Sequence, residues 1–456
     1  MKKLLGLLGT VFFSVAFTLP AMASSFGTTY GFSPRGMAMG NAMTAHTDDW
    51  ASIYYNVAGL GRTQNRIEEA GSKEKAGLNQ LSVNYLYTSP SFDLNINRTS
   101  SDDGTPLPTR GADNLDFGTC LIGLAMDINT IYTMPEVISS ARMGFSMAIN
   151  DDLTVVKIND VDPRTHNFVR YGREAQRALI LAGAGFGFMD DLFGVGLGLN
   201  ISFGGSGTIA ISDLEITEEL QVPVGNAIMD ISLEPTAVAG FYVSPGKRIP
   251  ALEGLEIGFS YRQKSKLEIE PLDTIATLDT GNVLLNMRLS LFDYFQPDIY
   301  TVGVSYDFTD KLMVSLELEQ QKWSGFDLSD SHKVNFGTDL PDLDDILVPK
   351  LGAEYRLTDR LALQGGYCFE PTFVPDDATA GIINYLDNDK HIVSVGTSYR
   401  LPGFGRMKRD IDLFAAYQHQ FLVDRDITKI SPTGENPDYS YEGSCSTLYV
   451  GITINM

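Results

Sequence analysis

From residue 78 to the C-terminus, apolar and polar side chains alternate in runs of about ten residues separated by turn residues, the pattern of half-buried strands. Fourteen runs are predicted: Leu78–Thr88, Thr119–Ile128, Arg142–Asn150, Ala178–Met189, Leu192–Phe203, Ile228–Val243, Leu255–Ile269, Val283–Phe308, Leu312–Trp323, Val348–Leu357, Leu361–Phe369, Ile392–Leu401, Ile411–Val423 and Thr447–Met456. The longest is interrupted near Pro297, where the ladder loses a donor. In one run Leu255, Ile257, Phe259 and Tyr261 oppose Glu256, Gly258, Ser260 and Arg262. In another Leu448, Val450, Ile452 and Ile454 oppose Tyr449, Gly451, Thr453 and Asn455.

The hairpin Leu181–Phe203 is the most telling. One face carries Phe186, Phe188, Val195, Leu197 and Leu199; the other is emptied by Gly183, Gly185, Gly187, Gly194, Gly196 and Gly198. Glycine in a strand interior marks a place where another backbone comes close. A soluble sandwich core is the competing reading of this hairpin alone. The connections favour a membrane barrel: tight turns such as Met189-Asp190-Asp191, Phe308–Lys311 and Leu357–Arg360 alternate with long polar links such as 324–346, 370–391 and 424–441. The expected fold class is therefore all-β, a transmembrane antiparallel barrel of about fourteen strands, an even number. Residues 24–66 do not alternate, are rich in Gly, Ala and Met, and are too short to form a domain of their own. They are expected to form a plug, or hatch, in the lumen, with a disordered extension as the alternative.

Composition and motifs refine this picture. Lys2 and Lys3, the apolar run Leu4–Leu19 and Ala21-Met22-Ala23 make residues 1–23 an export signal, leaving 67–456 for the barrel. The net charge of −23 argues against nucleic-acid partners, and a mean hydropathy of −0.04 suits strands of which half face a polar lumen. Cys120, Cys368 and Cys445 fall in three separate runs with no metal-ligand spacing, and read as unpaired thiols. No Gly-x-Ser-x-Gly elbow, Walker loop or paired His motif occurs, so no enzyme, cofactor or metal is expected. The acidic stretch Asp327–Asp345 lacks the spacing of a calcium loop and reads as a solvated outer loop. Arg262, Lys264, Lys266 and Arg288 either receive an anionic headgroup or pair with Glu256, Glu268, Glu317, Glu319 and Glu354; the pattern leaves both open.

Two stretches, Gly31–Gly40 (GFSPRGMAMG) and Asp48–Leu60 (DDWASIYYNVAGL), resemble the plug segment of the FadL/TodX family of outer-membrane transporters. The family's Asn-Pro-Ala is Asn56-Val57-Ala58 here, and Tyr261-Arg262 and Trp323-Ser324-Gly325-Phe326 are further matches. The chain ends in Met456, where the family usually has an aromatic residue read during assembly. The resemblance implies a multi-pass bacterial outer-membrane protein that carries hydrophobic small molecules, long-chain fatty acids foremost. Loop capture, hatch rearrangement and lateral exit through the wall would form its mechanism. Its expected partners are a fatty acid-like molecule, outer-membrane lipid, and the export and barrel-assembly machinery. Phe26, Arg262, Lys264, Arg288, Trp323 and Phe326 are the ligand-path candidates, and the stretch around Pro135 and Arg142 is the candidate break in the wall. Beyond Phe326 stand Asp327 and Asp330 rather than lysine, which weakens the case for a carboxylate ligand. A general diffusion porin and a structural or adhesive protein are the alternatives.

Overall fold

The computed structural model describes residues 26–63, 79–96, 114–150, 166–168, 170–171, 178–214, 224–278, 283–326, 343–375, 384–403, 409–429 and 437–456. The expected signal, 1–23, lies outside them, as do the ends of the expected hatch, 24–25 and 64–66. Fourteen strands form the wall. They are β1 (Gln80–Ile96), β2 (Phe117–Asp127), β3 (Ile138–Asn150), β4 (Leu179–Phe188), β5 (Phe193–Leu214), β6 (Val224–Val243) and β7 (Leu255–Arg262). The circuit continues with β8 (Asp298–Asp307), β9 (Leu312–Lys322), β10 (Ile346–Arg356), β11 (Leu361–Glu370), β12 (Lys390–Leu401), β13 (Ile411–Ile427) and β14 (Tyr439–Asn455). Each pairs antiparallel with its chain neighbour, and β1 pairs β14 from Gln80↔Asn455 to Ile96↔Tyr439, so the sheet closes. Closure removes the edges that lipid cannot satisfy.

Two of the expected runs are corrected at one place. Leu255–Ile269 ends as a wall strand at Arg262, and Val283–Phe308 rejoins the wall at Asp298. Between them, Ser265–Leu278 and Val283–Gln296 form a hairpin that lies parallel to the upper part of β5. Pro297, with no N–H to give, sits where the hairpin returns to the wall. Several strands also run past their expected ends, β1 to Ile96 and β5 to Leu214.

The period-two faces are as expected. Leu197 is 72% exposed and Phe259 39% exposed on the outside, while Ser260, Arg262, Glu317 and Glu319 are buried on the inside. The turn at Met189, Asp190 and Asp191 takes positive φ at all three residues, a conformation that Asp tolerates better than most side chains. No described helix is long and apolar enough to cross a membrane. The cysteines are free.

The bore is filled by residues 26–63. Three short helices, α1 (Phe26–Thr29), α2 (Pro34–Ala38) and α3 (Ser52–Tyr55), and a 3-10 helix, Val57–Gly61, stack into an apolar core with Trp50, Tyr54 and Phe32 at its centre. Ser33 caps α2 by accepting from the Gly36 N–H, with Pro34 at the first helical position. Such short helices do not persist alone; the wall holds them.

Candidate functional site

The hatch is held at every level of the bore. At Gly185 an added Cβ would lie 2.5 Å from the Val57 carbonyl oxygen, and at Gly196 it would lie 2.5 Å from the Ala58 nitrogen. The glycine face read from the sequence is thus the seat of the hatch backbone. Asn56 caps the 3-10 helix by accepting from the Ala58 N–H, and its amide donates to the carbonyls of Thr44 at 2.8 Å and of Phe241 on β6 at 3.0 Å. Val57 takes the first position of that helix, where the family's proline also fits, and Val57 and Ala58 are fully buried.

Charge holds the opposite side. Arg35 forks onto Glu354 of β10 at 2.8 and 3.2 Å, and Glu317 accepts from the Thr44 N–H at 2.9 Å. Lys350 bridges Glu317 at 2.9 Å and Glu319 at 2.8 Å. Arg262 pairs with Glu319 at 3.5 Å and lies 4.2 Å over the Tyr54 ring. At the hatch's end Arg62 pairs with Glu256 at 2.7 Å over Tyr242. Of the two readings left open for Arg262, the pairing one describes its contacts.

Below the hatch, on the side of the tight turns at 189–191, 308–311 and 357–360, is a cavity of about 420 Å³ lined by charged groups including Arg35, Asp48, Arg62, Glu256, Asp307 and Arg356. His46 also lines it; burial and the nearby Arg35 push its pKa down to about 3.

Above the hatch the long links fold inward. His166–Phe168 pairs in parallel with Asn384–Leu386. Arg170, fully buried, pairs with Glu370 and, at 3.0 Å, with Asp387, while Lys390 joins Glu370 at 2.7 Å. To one side Trp323 stacks on Phe373 at 3.8 Å, and Phe326 packs edge-on to Phe295 at 5.2 Å. To the other side Phe26 and Phe32 join Tyr30, Phe92, Phe117 and Tyr171 in the hatch core. The sequence-predicted aromatics thus gather in two clusters flanking the Arg170 ion group.

Other candidates fall elsewhere. Lys264 is exposed just past the end of β7, its backbone N–H donating to Asp298, so it does not join Arg262 in the lumen. Arg288 stands in the second arm of the hairpin, and its side chain lies outside the described residues, as does that of Glu268. Of the acidic stretch, 327–342 lies outside the described residues; Asp345 pairs with Lys322 at 2.7 Å. Pro135 is exposed in the link between β2 and β3. The ladders on both sides of Arg142 are continuous, Arg142 opposing Asp127 and Gly185, with a register shift confined to Ile138/Ser140. The anchors missed in the sequence are Arg35, Arg62 and Arg170. Arg35 could have been singled out as a lone cation in a charge-poor segment, whereas Arg62 and Arg170 adjoin charged stretches that mask them.

A family model described as outer membrane protein transport protein (OMPP1/FadL/TodX) matches residues 189–455. Alkane uptake protein A of Marinobacter nauticus is 23% identical over 97% of this chain and 94% of its own. Among solved structures, a FadL homologue of Pseudomonas aeruginosa is 16% identical, with 97% of this chain and 99% of that chain covered and a TM-score of 0.51. The TodX deltaS2S3 mutant monoaromatic hydrocarbon channel is 13% identical, with 93% and 99% covered and a TM-score of 0.52. At these identities the two structures speak to the fold.

Proposed function

This chain belongs to the OMPP1/FadL/TodX family of outer membrane transport proteins, and from that premise we propose that its cargo is an uncharged hydrocarbon that leaves through the barrel wall. It is an outer-membrane transporter of hydrophobic compounds and not an enzyme. Long-chain fatty acids are the cargo that the sequence resemblance favours; the charges of the bore favour a cargo without a carboxylate. The buried cations Arg35, Arg62, Arg170, Arg262, Lys350 and Lys390 each already hold a carboxylate of the protein. A fatty acid would have to take one of those cations from its partner, leaving a buried acid unpaired, or draw Arg142 off the hatch carbonyls that hold it. A hydrocarbon asks for no such exchange. The name of the Marinobacter nauticus relative, an alkane uptake protein, agrees with this.

The route follows the apolar groups. The Trp323, Phe373, Phe295 and Phe326 cluster receives the molecule under the outer links, and the cluster of Phe26, Phe92, Phe117 and Tyr171 takes it on to the hatch. Straight passage downward leads into the charged cavity of about 420 Å³, an unfavourable medium for apolar surface. The bore face of β2 to β6 has little charge beyond Asp127 and Arg142, with Leu121, Ala125, Gly144, Leu181, Gly183 and Val238 along it. Hatch displacement along that face opens the lateral path, which supports the wall around β3 as the exit.

The pairing of the bore cations carries this reading. The test is uptake of a medium-chain n-alkane and of the matching fatty acid in an outer-membrane host lacking its own carriers. The expected result is expression-dependent alkane uptake at least tenfold above fatty-acid uptake. Equal uptake of the two, or full competition by the acid, overturns it.

A further inference from the structure

We propose that Arg142 is the latch of the hatch, a positioning residue that must leave its hatch carbonyls before the wall sector around β3 can open, and that Asp127 is the partner it takes on release. The proposal rests on the lateral-exit reading above and adds the element that controls it.

Arg142 is fully buried, although it projects from a sector built of Gly, Ala and Leu. Its Nε donates to the Leu60 carbonyl at 2.6 Å. One Nη donates to the carbonyls of Asp48 at 2.6 Å, Arg62 at 3.1 Å and Gly59 at 3.3 Å. These oxygens come from two separate parts of the hatch, the turn before α3 and the end of the 3-10 helix, so one guanidinium staples both to β3. The final carbonyls of a helix lack intrahelical partners and carry partial negative charge, which suits a cation.

No carboxylate among the described residues forms an ion pair with Arg142; its hydrogen bonds go to hatch carbonyls. Sliding the hatch away strands a buried guanidinium, a costly state unless another acceptor is within reach. Asp127 supplies one. It stands directly opposite Arg142 in the β2–β3 ladder, is itself buried, and spends one oxygen on the Asn129 N–H at 2.9 Å. The two arrangements, Arg142 on the hatch or Arg142 on Asp127, form a two-state element biased by where the hatch lies.

The experiment uses the full-length protein in detergent and in planar bilayers. Arg142→Met keeps the bulk and removes the donors; Arg142→Lys keeps the charge but not the fork. Arg142→Met is expected to speed amide exchange in residues 48–63 at least tenfold while the wall strands keep their protection, and to raise small-ion conductance at least tenfold without hydrocarbon. Arg142→Lys should restore part of both. Asp127→Asn is expected to leave exchange at 48–63 slow and to reduce hydrocarbon uptake several-fold. Unchanged exchange and conductance in Arg142→Met overturn the latch, as does equal acceleration across the wall, which reads as general loosening. Unchanged uptake in Asp127→Asn overturns its role as the receiving partner. Hydrocarbon uptake by the unaltered protein is measured alongside: its absence overturns the transport reading, while the exchange data still decide the latch.

Discussion

The bore has two unlike walls. From β2 to β6 the inward face is small and nearly uncharged, with Leu121, Gly144, Gly183, Gly185 and Gly196 against the hatch backbone. From β7 to β13 it carries Arg262, Glu317, Glu319, Lys350, Glu354, Glu370 and Lys390. The same plug is therefore held by backbone fit and the Arg142 staple on one side and by ion pairs on the other. Shape complementarity to a backbone is lost gradually as the surfaces slide, whereas a buried ion pair is either made or stranded. On the lateral-exit proposal, the difference lets a firmly seated hatch keep one side along which apolar cargo passes.

Breaking the charged wall should have the largest effect. Lys350→Met leaves Glu317 and Glu319 buried with no lysine between them, and removing one partner of a buried pair costs about 3–5 kcal/mol. Unfolding in detergent should show that loss, and small-ion conductance should rise because Glu317 also holds the Thr44 N–H. A change under about 1 kcal/mol, the usual range of an exposed pair, would mean that this wall is solvated and the contrast with β2 to β6 is false.

The shape-fitted wall gives the next effect, with a built-in control. In Gly196→Ala the new methyl meets hatch backbone at Val57 and Ala58, whereas at Gly365 nothing lies within 4 Å. Overpacking of this kind costs about 1–3 kcal/mol. Gly196→Ala should therefore raise conductance and lower the melting temperature while Gly365→Ala does neither. Equal behaviour of the two variants would remove the argument that glycines seat the hatch.

The unlike walls were not equally legible in the sequence. Membrane-crossing strands must alternate because one face meets lipid, so β3, β9 and β14 can be read at period two, and the glycines of Leu181–Phe203 announce a close backbone. Above the membrane that constraint ends. β1 continues to Ile96 and β5 to Leu214, and the hairpin between Ser265 and Gln296 alternates as a wall strand does without being one. Glu256, Glu317, Glu319 and Glu354 could be placed inward from their own strands. Their partners could not, because Arg35 and Arg62 come from the hatch and Lys350 from a neighbouring strand, and period-two reading says nothing about which elements meet in space. Arg142 shows the same limit: its run marked it as a strand residue near an irregular link, but its four acceptors lie in a segment 80 or more positions away.

The smallest expected effect lies on the hatch itself and separates its two sides. His46 lines the charged cavity with Arg35 and Glu354, both ring nitrogens are buried without a hydrogen-bond partner among the described residues, and its pKa is pushed down to about 3 by burial and by Arg35. A released hatch would return it to the ordinary value of about 6.5. Between those two values the released form binds a proton that the seated form refuses. Seating is therefore fully favoured above pH 6.5 and weakens as pH falls toward 3, by less than about 1.4 kcal/mol per unit. Lowering the pH from 7 to 5 should raise conductance a few-fold, and His46→Gln should flatten that response. Amide exchange should quicken at 35–47, beside the charged wall, before it does at 57–61, where Arg142 and the glycines grip. If acid loosens 57–61 first, the hatch is hinged on the opposite side from the one these contacts imply.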